Sequence, residues 1–235
     1  RLFLYDPGHA SWQLDGPGRG TSLSIRHPWD SLPGSRLQLV PRGVVLTAGA
    51  GNARLREQLG LPAGAMQRRP LHMVMVRGEP PHLPKLCGHQ VDRAHTRMTI
   101  TSDVDSRGRT VWQLGGQVAE DGVAMTRREL ASHAAAELAA VLPALDFSGL
   151  EINTYRVDRA EATTEGGRRP ETQGVRVDGN TLTAFPTKLA LAPALALEVA
   201  AAIAQLAPRD PDRVSTDIQS VEWPRPEVAR PPWES

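Results

Sequence analysis

Residues 180–206 read NTLTAFPTKLALAPALALEVAAAIAQL, and the fold turns on this stretch. Asp178-Gly179, just before it, is a turn pair. Thr181 to Phe185 is β-prone, with Leu182 and Phe185 as its bulky apolar residues. Pro186 lacks the N–H that further sheet pairing needs. Pro193 suits the first turn of a helix, where a missing N–H costs nothing. From Ala194 to Leu206 almost every residue is Ala, Leu, Val or Ile. Such a helix is expected to be buried on most sides, inside a layered domain. It is too short and too Ala-rich for a good membrane span. The turn Thr187-Lys188-Leu189-Ala190 then sits at a buried helix N-terminus, where unpaired N–H groups and the positive dipole end favour an electron-rich ligand atom. The same pattern also serves as a plain strand–turn–helix packing unit.

A strand feeding such a turn needs a neighbour, and upstream Val44-Val45-Leu46 supplies one. This continuous apolar run predicts a strand buried on both faces. It ends in Thr47-Ala48-Gly49-Ala50-Gly51-Asn52, with Asn52 expected to cap a helix from Ala53 to Leu59 that Gly60 and Pro62 stop. Small residues at a strand's carboxyl end let a ligand approach the backbone, and ligands bind at that end of open α/β sheets. Further strands are expected at Leu2–Tyr5, Leu23–Ile25 and Arg36–Val40. Gly16, Gly18 and Gly20 only superficially suggest a phosphate loop, because neither the required strand nor the helix flanks them.

The character changes over residues 67–120. Leu71 to Val76 reads as a strand. Arg97–Val104 and Arg109–Val118 read as a hairpin turning at Asp105-Ser106-Arg107-Gly108. The Pro- and His-rich segment between Gly78 and His95 reads as a loop. His72, His82, His89 and His95 fit no standard zinc spacing, so no metal is expected, and His72 reads as a hydrogen-bonded structural residue. Thr126 and Glu129 form a capping box for a helix that faces inward with Leu130, Ala134, Leu138 and Val141 and ends at Pro143. Leu150 to Val157 is a strand expected to deliver Arg156, Asp158, Arg159 and Glu161 into a loop. After Leu206 a Pro-rich tail is expected to lie as a strap pinned by Trp223 and Trp233.

Composition narrows the function. The chain has 235 residues, net charge +1 and one cysteine, Cys87. Nothing in the charge suggests nucleic acid. A single cysteine excludes an internal disulfide and fits a reducing compartment. With no visible signal peptide or membrane-length apolar run, a cytoplasmic location is expected. Arg1 opens within the strand-like run RLFLY, as expected where the N-terminus of a longer protein is absent.

In their order, these segments resemble the second half of the FAD-dependent oxidoreductases of the D-amino-acid oxidase type, a family that includes glycine oxidase and sarcosine oxidase. VVLTAGAGN, RPLHMVMVRG, VWQLGGQVAEDG and FPTKLALAP look like a bacterial subgroup of it. The likeness covers about residues 40–205. It implies an α+β chain with a partial, discontinuous FAD-binding α/β domain and an antiparallel-sheet substrate domain with a covering helix. The FAD-binding parts would be residues 1–66 and 161–206, the substrate domain 67–160, and the strap 207–235. The resemblance also implies FAD contacts at Ala48, Gly49 and Gly51 and at Thr187, Lys188 and Leu189. It places a substrate carboxylate near Arg159, ahead of Arg169-Pro170, since the planar guanidinium fork pairs with both carboxylate oxygens. The sequence-level alternative is an ion pair of Arg159 with Glu161 or Asp158.

Several features depart from the family pattern. Ala184-Phe185 replaces a glycine-histidine pair, Lys188 replaces a turn glycine, and Ala160 follows Arg159 where relatives commonly have proline. The family's G-x-G-x-x-G strand–turn–helix does not occur in these residues, so tight FAD binding by the chain alone is not expected. The implied activity is oxidation of a small amine or amino-acid-like substrate by hydride transfer to flavin. The alternative is a non-catalytic ligand- or partner-binding module derived from the same fold.

Overall fold

The computed structural model describes residues 3–27, 36–80, 82–92, 95–206 and 223–234. The chain divides into two units, one of residues 1–69 with 160–228 and one of 70–159 with 229–235. Helices and largely antiparallel sheets occur together, so the chain is α+β.

The first unit holds two three-stranded sheets. One is the antiparallel meander β1 (Ala10–Leu14), β2 (Gly20–Arg26) and β3 (Arg36–Leu39). Leu23, Ile25 and Leu37 form its core with Tyr5, Trp12 and Trp223 packed on it. The strand expected at Leu2–Tyr5 is not formed over residues 3–5; Leu2 lies outside the described residues. Leu4 is instead tied to the tail, donating to Pro224 O at 2.7 Å and accepting from Trp223 Nε1 at 3.0 Å. The ring of Trp223 also meets His27 edge-on at 5.1 Å.

The second sheet joins β10 (Gly174–Asp178), β11 (Thr181–Phe185) and β4 (Val44–Leu46), in the order β10-β11-β4. β10 and β11 form a hairpin that turns at Gly179, whose φ of 64° suits glycine. β11 and β4 run parallel, Thr181 opposite Val44 and Thr183 opposite Leu46. Helix α1 (Asn52–Gln58) follows β4, and α4 (Ala192–Ala204) follows β11. Gly16, Gly18 and Gly20 belong to a turn that grips this hairpin. Asn180 accepts from Gly20 N and donates to Gly20 O, both at 2.9 Å, and a Cβ at Gly18 would lie 2.4 Å from Asp178 O.

Two sequence expectations fail in this unit. β4 pairs only with β11 among the described strands, and Val44 and Val45 are half-buried rather than covered on both faces. Helix α4 buries only Leu195, while Leu197 is 74% exposed and Leu189 just ahead of it 89%. Composition measures how apolar a helix is, not what covers it. Here α4 lies on β10 and β11, and its other sides face outward.

The second unit is built on a five-stranded sheet ordered β6-β7-β8-β5-β9. Its strands are β5 (Met66–Gly78), β6 (Gly88–Asp92), β7 (His95–Val104), β8 (Thr110–Gly115) and β9 (Glu151–Ala162). β6 lies inside the segment read as a loop, because the Pro and His residues around it mask a short strand that pairs with β7. The short helix α2 (Gln117–Asp121) and α3 (Arg127–Val141) follow β8. The Thr126–Glu129 capping box opens α3. Leu130, Ala134 and Leu138 of α3 pack with Val74, Val76, Met98, Ile100, Trp112 and Leu114 of the sheet. Each fully buried leucine contributes about 1.5–3 kcal/mol to this core. Trp112 stays satisfied there by donating Nε1–H to Pro84 O at 2.7 Å. Near the C-terminus, Trp233 O accepts from Arg77 at 2.8 Å and Glu234 from Ser106 N at 2.6 Å. Among the described residues no helix is long and apolar enough to cross a membrane.

Candidate functional site

The parallel pairing of β4 with β11 gives both strands their carboxyl ends at the same end of the sheet, where Ala48, Gly49 and Gly51 follow β4 and Thr187, Lys188 and Leu189 follow β11. Ala48, Gly49, Gly51, Lys188 and Leu189 are exposed, and Thr187 is half-buried. Gly49 has φ 55°, and a Cβ there would meet nothing within 4 Å. Thr187 has φ 58°, a left-handed conformation that costs a β-branched residue energy. Its hydroxyl holds it by donating to Thr172 O at 2.9 Å. Past this turn a 3-10 segment, Leu189–Leu191, leads into α4, and the first N–H groups of such a helical run have no partner inside it. This end of the sheet therefore presents backbone donors, the bare Ala48–Gly51 turn, the exposed side chains of Lys188 and Leu189, and a second cation in Arg68, which donates to Ala50 O at 3.2 Å.

Asn52 does something other than the capping expected of it. It is the first residue inside α1, and its Oδ1 accepts from Ala48 N at 2.8 Å, closing the turn from within. One turn along the same helix face, Arg56 is fully buried. Its Nε donates to Pro62 O at 3.0 Å, and its Nη1 donates to Asp178 Oδ2 at 2.9 Å and Thr183 Oγ1 at 2.7 Å. Arg56 thus ties the helix after one turn to the hairpin before the other. Sequence reasoning missed this role. The available signal was a pair of polar residues four apart in a short helix that must turn one face to a sheet.

Arg159 lies inside β9, not in a loop past its end, because that strand runs on to Ala162. Arg159 is half-buried. Glu161 is 1% exposed and takes both terminal contacts from Arg69, Nε to Oε2 and Nη2 to Oε1, each 3.2 Å. Glu161 thus has a partner of its own in Arg69.

The second unit's polar groups are mostly accounted for. His72 is buried, with Nδ1 on Gly122 O and Nε2 on Thr154 Oγ1, each at 2.9 Å, as a structural residue would be. A cavity of about 340 Å³ has Asp92, His95, His133 and Asp121 in its walls, together with Arg97 and Glu137. Arg97 and Glu137 bond each other at 2.5 and 2.6 Å, which holds the Glu137 carboxyl below its ordinary range. Burial raises the Tyr155 phenol, whose hydroxyl donates to Gln113 at 2.9 Å. Among the described residues no group of three His, Cys, Asp or Glu is arranged to hold a metal ion.

No protein-family model matches the sequence. Over 193 residues the chain is 42% identical to a probable FAD-dependent oxidoreductase of Pseudomonas aeruginosa, a match spanning 81% of this chain and 48% of the relative. It is also similar to the crystal structure of an FAD-dependent oxidoreductase from Pseudomonas aeruginosa, with a TM-score of 0.71 and 39% identity, over 83% of this chain and 52% of the other. The chain therefore spans about half the length of the relatives it matches.

Proposed function

We propose that this chain contributes part of an FAD site and the substrate-binding sheet of an FAD-dependent oxidoreductase of the D-amino-acid oxidase type. The observation that carries the reading is the parallel β4–β11 pair, which gives the small-residue turn Ala48–Gly51 and the turn Thr187–Leu189 the same end of the sheet. The similar Pseudomonas aeruginosa proteins, described as FAD-dependent, support it.

The residues present fit such a group. Open space over Gly49 leaves room for a flat ring or a sugar chain close to the backbone. Ala48, Gly49 and Gly51 would hold the cofactor from one side, and Thr187, Lys188 and Leu189 from the other. FAD, when bound, supplies the redox chemistry, accepting hydride from a small amine or amino-acid-like substrate. Backbone N–H groups at the Leu189 turn stabilise negative charge on whatever lies against them, and Lys188 adds a cation there. Arg159 is assigned to the substrate carboxylate through a bidentate pair of charge-assisted hydrogen bonds. A cytoplasmic location accords with this reading.

The test is an FAD titration of the full-length gene product and of residues 1–235. Flavin absorbance should co-purify with the former, and the present chain should bind weakly. A full-length product that neither carries nor takes up FAD refutes the reading.

A further inference from the structure

A helix that covers a sheet normally turns its apolar face inward. Helix α1 turns Asn52 and Arg56 inward instead, at 1% and 0% exposure. Burying an amide and a guanidinium is costly unless every polar atom finds a partner. Most do, as described above. Two atoms do not, Asn52 Nδ2 and Arg56 Nη2; on β11, Thr181 Oγ1 is also buried without a partner. The two nitrogens are pure donors, so each lacks an acceptor, while the hydroxyl could take either kind of partner.

The three are not equivalent. Arg56 reaches Thr183, two residues along β11 from Thr181, through Nη1, and its other terminal nitrogen is buried without a partner. Asn52 lies at the start of α1, on the edge where β4 ends. The residues that lead into it, Ala48 to Gly51, carry nothing larger than a methyl group. Its two polar ends are split in function. Oδ1 is spent on Ala48 N, while Nδ2 is a buried donor without an acceptor at the edge assigned to the cofactor.

Resting on the flavin reading, we infer that Asn52 is an additional cofactor-binding residue: its Oδ1 shapes the Ala48 turn and its Nδ2 donates to an oxygen of the bound flavin nucleotide. A donor left unmade in the free protein and made in the complex adds its full value to binding, because the unbound state already bears the desolvation cost. The Asn52 carboxamide thus couples turn geometry to ligand affinity through one rigid side chain.

Asn52→Asp separates the two ends. It keeps an acceptor for Ala48 N and replaces the donor by a second acceptor, one turn from the Arg56 guanidinium. FAD affinity of the full-length gene product is measured by quenching of flavin fluorescence, alongside thermal melts without FAD. The expected result is an unligated melting temperature equal to or above the parent's, with FAD bound about tenfold or more weakly. Asn52→Ser, which offers a hydroxyl to Ala48 N but no amide donor, should weaken FAD in the same direction and guards against an Asp variant that misfolds. Parental FAD affinity in both variants overturns the inference and leaves the flavin reading standing. Absence of FAD binding in the parent protein removes the flavin reading itself, and the role of Asn52 with it.

Discussion

Removing the Arg56 guanidinium should unfasten the first unit more than any other single change at the sheet edge. Arg56→Met keeps most of the stem's apolar volume and deletes three hydrogen bonds, to Pro62 O, Asp178 Oδ2 and Thr183 Oγ1. Breaking a buried ion pair from one side costs about 3–5 kcal/mol when the surviving charge is stranded. Asp178 is not fully stranded. Its side chain is 20% exposed, and Arg176 lies 3.3 Å away. The stranded-charge part is therefore smaller, while Thr183 loses its donor in a fully buried position. The net loss should be about 2–4 kcal/mol. Urea unfolding of Arg56→Met, Asp178→Asn and the double variant measures it, with the coupling energy read from the cycle. The double variant should be less destabilised than the sum of the singles, since removing both charges leaves no buried charge unpaired, Arg176 being half in solvent. A loss below about 1 kcal/mol for Arg56→Met, or strict additivity, would refute the picture of Arg56 as the fastener between helix and hairpin.

If, as proposed, Arg159 clamps a substrate carboxylate in the full-length gene product, Arg159→Lys should raise KM more than it lowers kcat, because such a clamp holds ground and transition states alike; unchanged KM in steady-state kinetics removes Arg159 from the site. Glu137 is held below its ordinary range chiefly by its hydrogen bonds from Arg97, and a depressed acid contributes stability above the unfolded pKa of about 4.3 that is lost as pH falls through the folded value. The stability gap between the parent and Glu137→Gln should accordingly hold near neutrality and shrink in acid, and a gap independent of pH in denaturant titrations contradicts it. Gly116 has φ 77° and ψ −151°, and a Cβ would lie 2.9 Å from Thr96 O. Gly116→Ala should cost about 2–3 kcal/mol, visible as a lowered midpoint of unfolding, and a neutral substitution would mean that the backbone there relaxes freely.

The elements that depend on local chemistry were legible in the sequence. The Thr126–Glu129 capping box, the turn at residues 105–108 and the turn pair Asp178-Gly179 each rest on a few adjacent residues whose conformational preferences agree. So did the inward row Leu130, Ala134, Leu138, since periodicity within one helix needs no knowledge of its neighbour. The failures are of another kind. α4 was read as buried from its composition, yet burial belongs to the surroundings of a helix and not to its own residues. β6 was hidden because five residues between prolines and histidines show too little alternation to stand out. The Leu2–Tyr5 run has strand propensity over residues 3–5 but meets the tail at Leu4 instead of a sheet, a long-range choice that propensity cannot contain.

The candidate site divides along the same line. That Thr47 to Asn52 and Pro186 to Ala190 leave the ends of β-prone runs was legible, because that pattern is local. The supporting half of the site was not. Arg56 acquires meaning only when Asp178, more than a hundred residues later, is brought to it by the β11–β4 pairing. The same pairing explains why Asn52 closes a turn rather than capping α1: once β4 is locked in register with β11, the chain must reverse within Ala48 to Gly51, and the Ala48 amide points back at the first side chain of the helix. A parallel strand pair three residues long is a weak device by itself, and its register is set by what crosses it. Here the link is a buried arginine on the helix after β4 that bonds position 178 on β10 and 183 on β11, so a one-residue slip of the hairpin would remove both of its side-chain acceptors at once. Placing a charged residue where a leucine would be more stable is thus consistent with a requirement for register, and a fixed register is what keeps the two exposed turns at a constant separation.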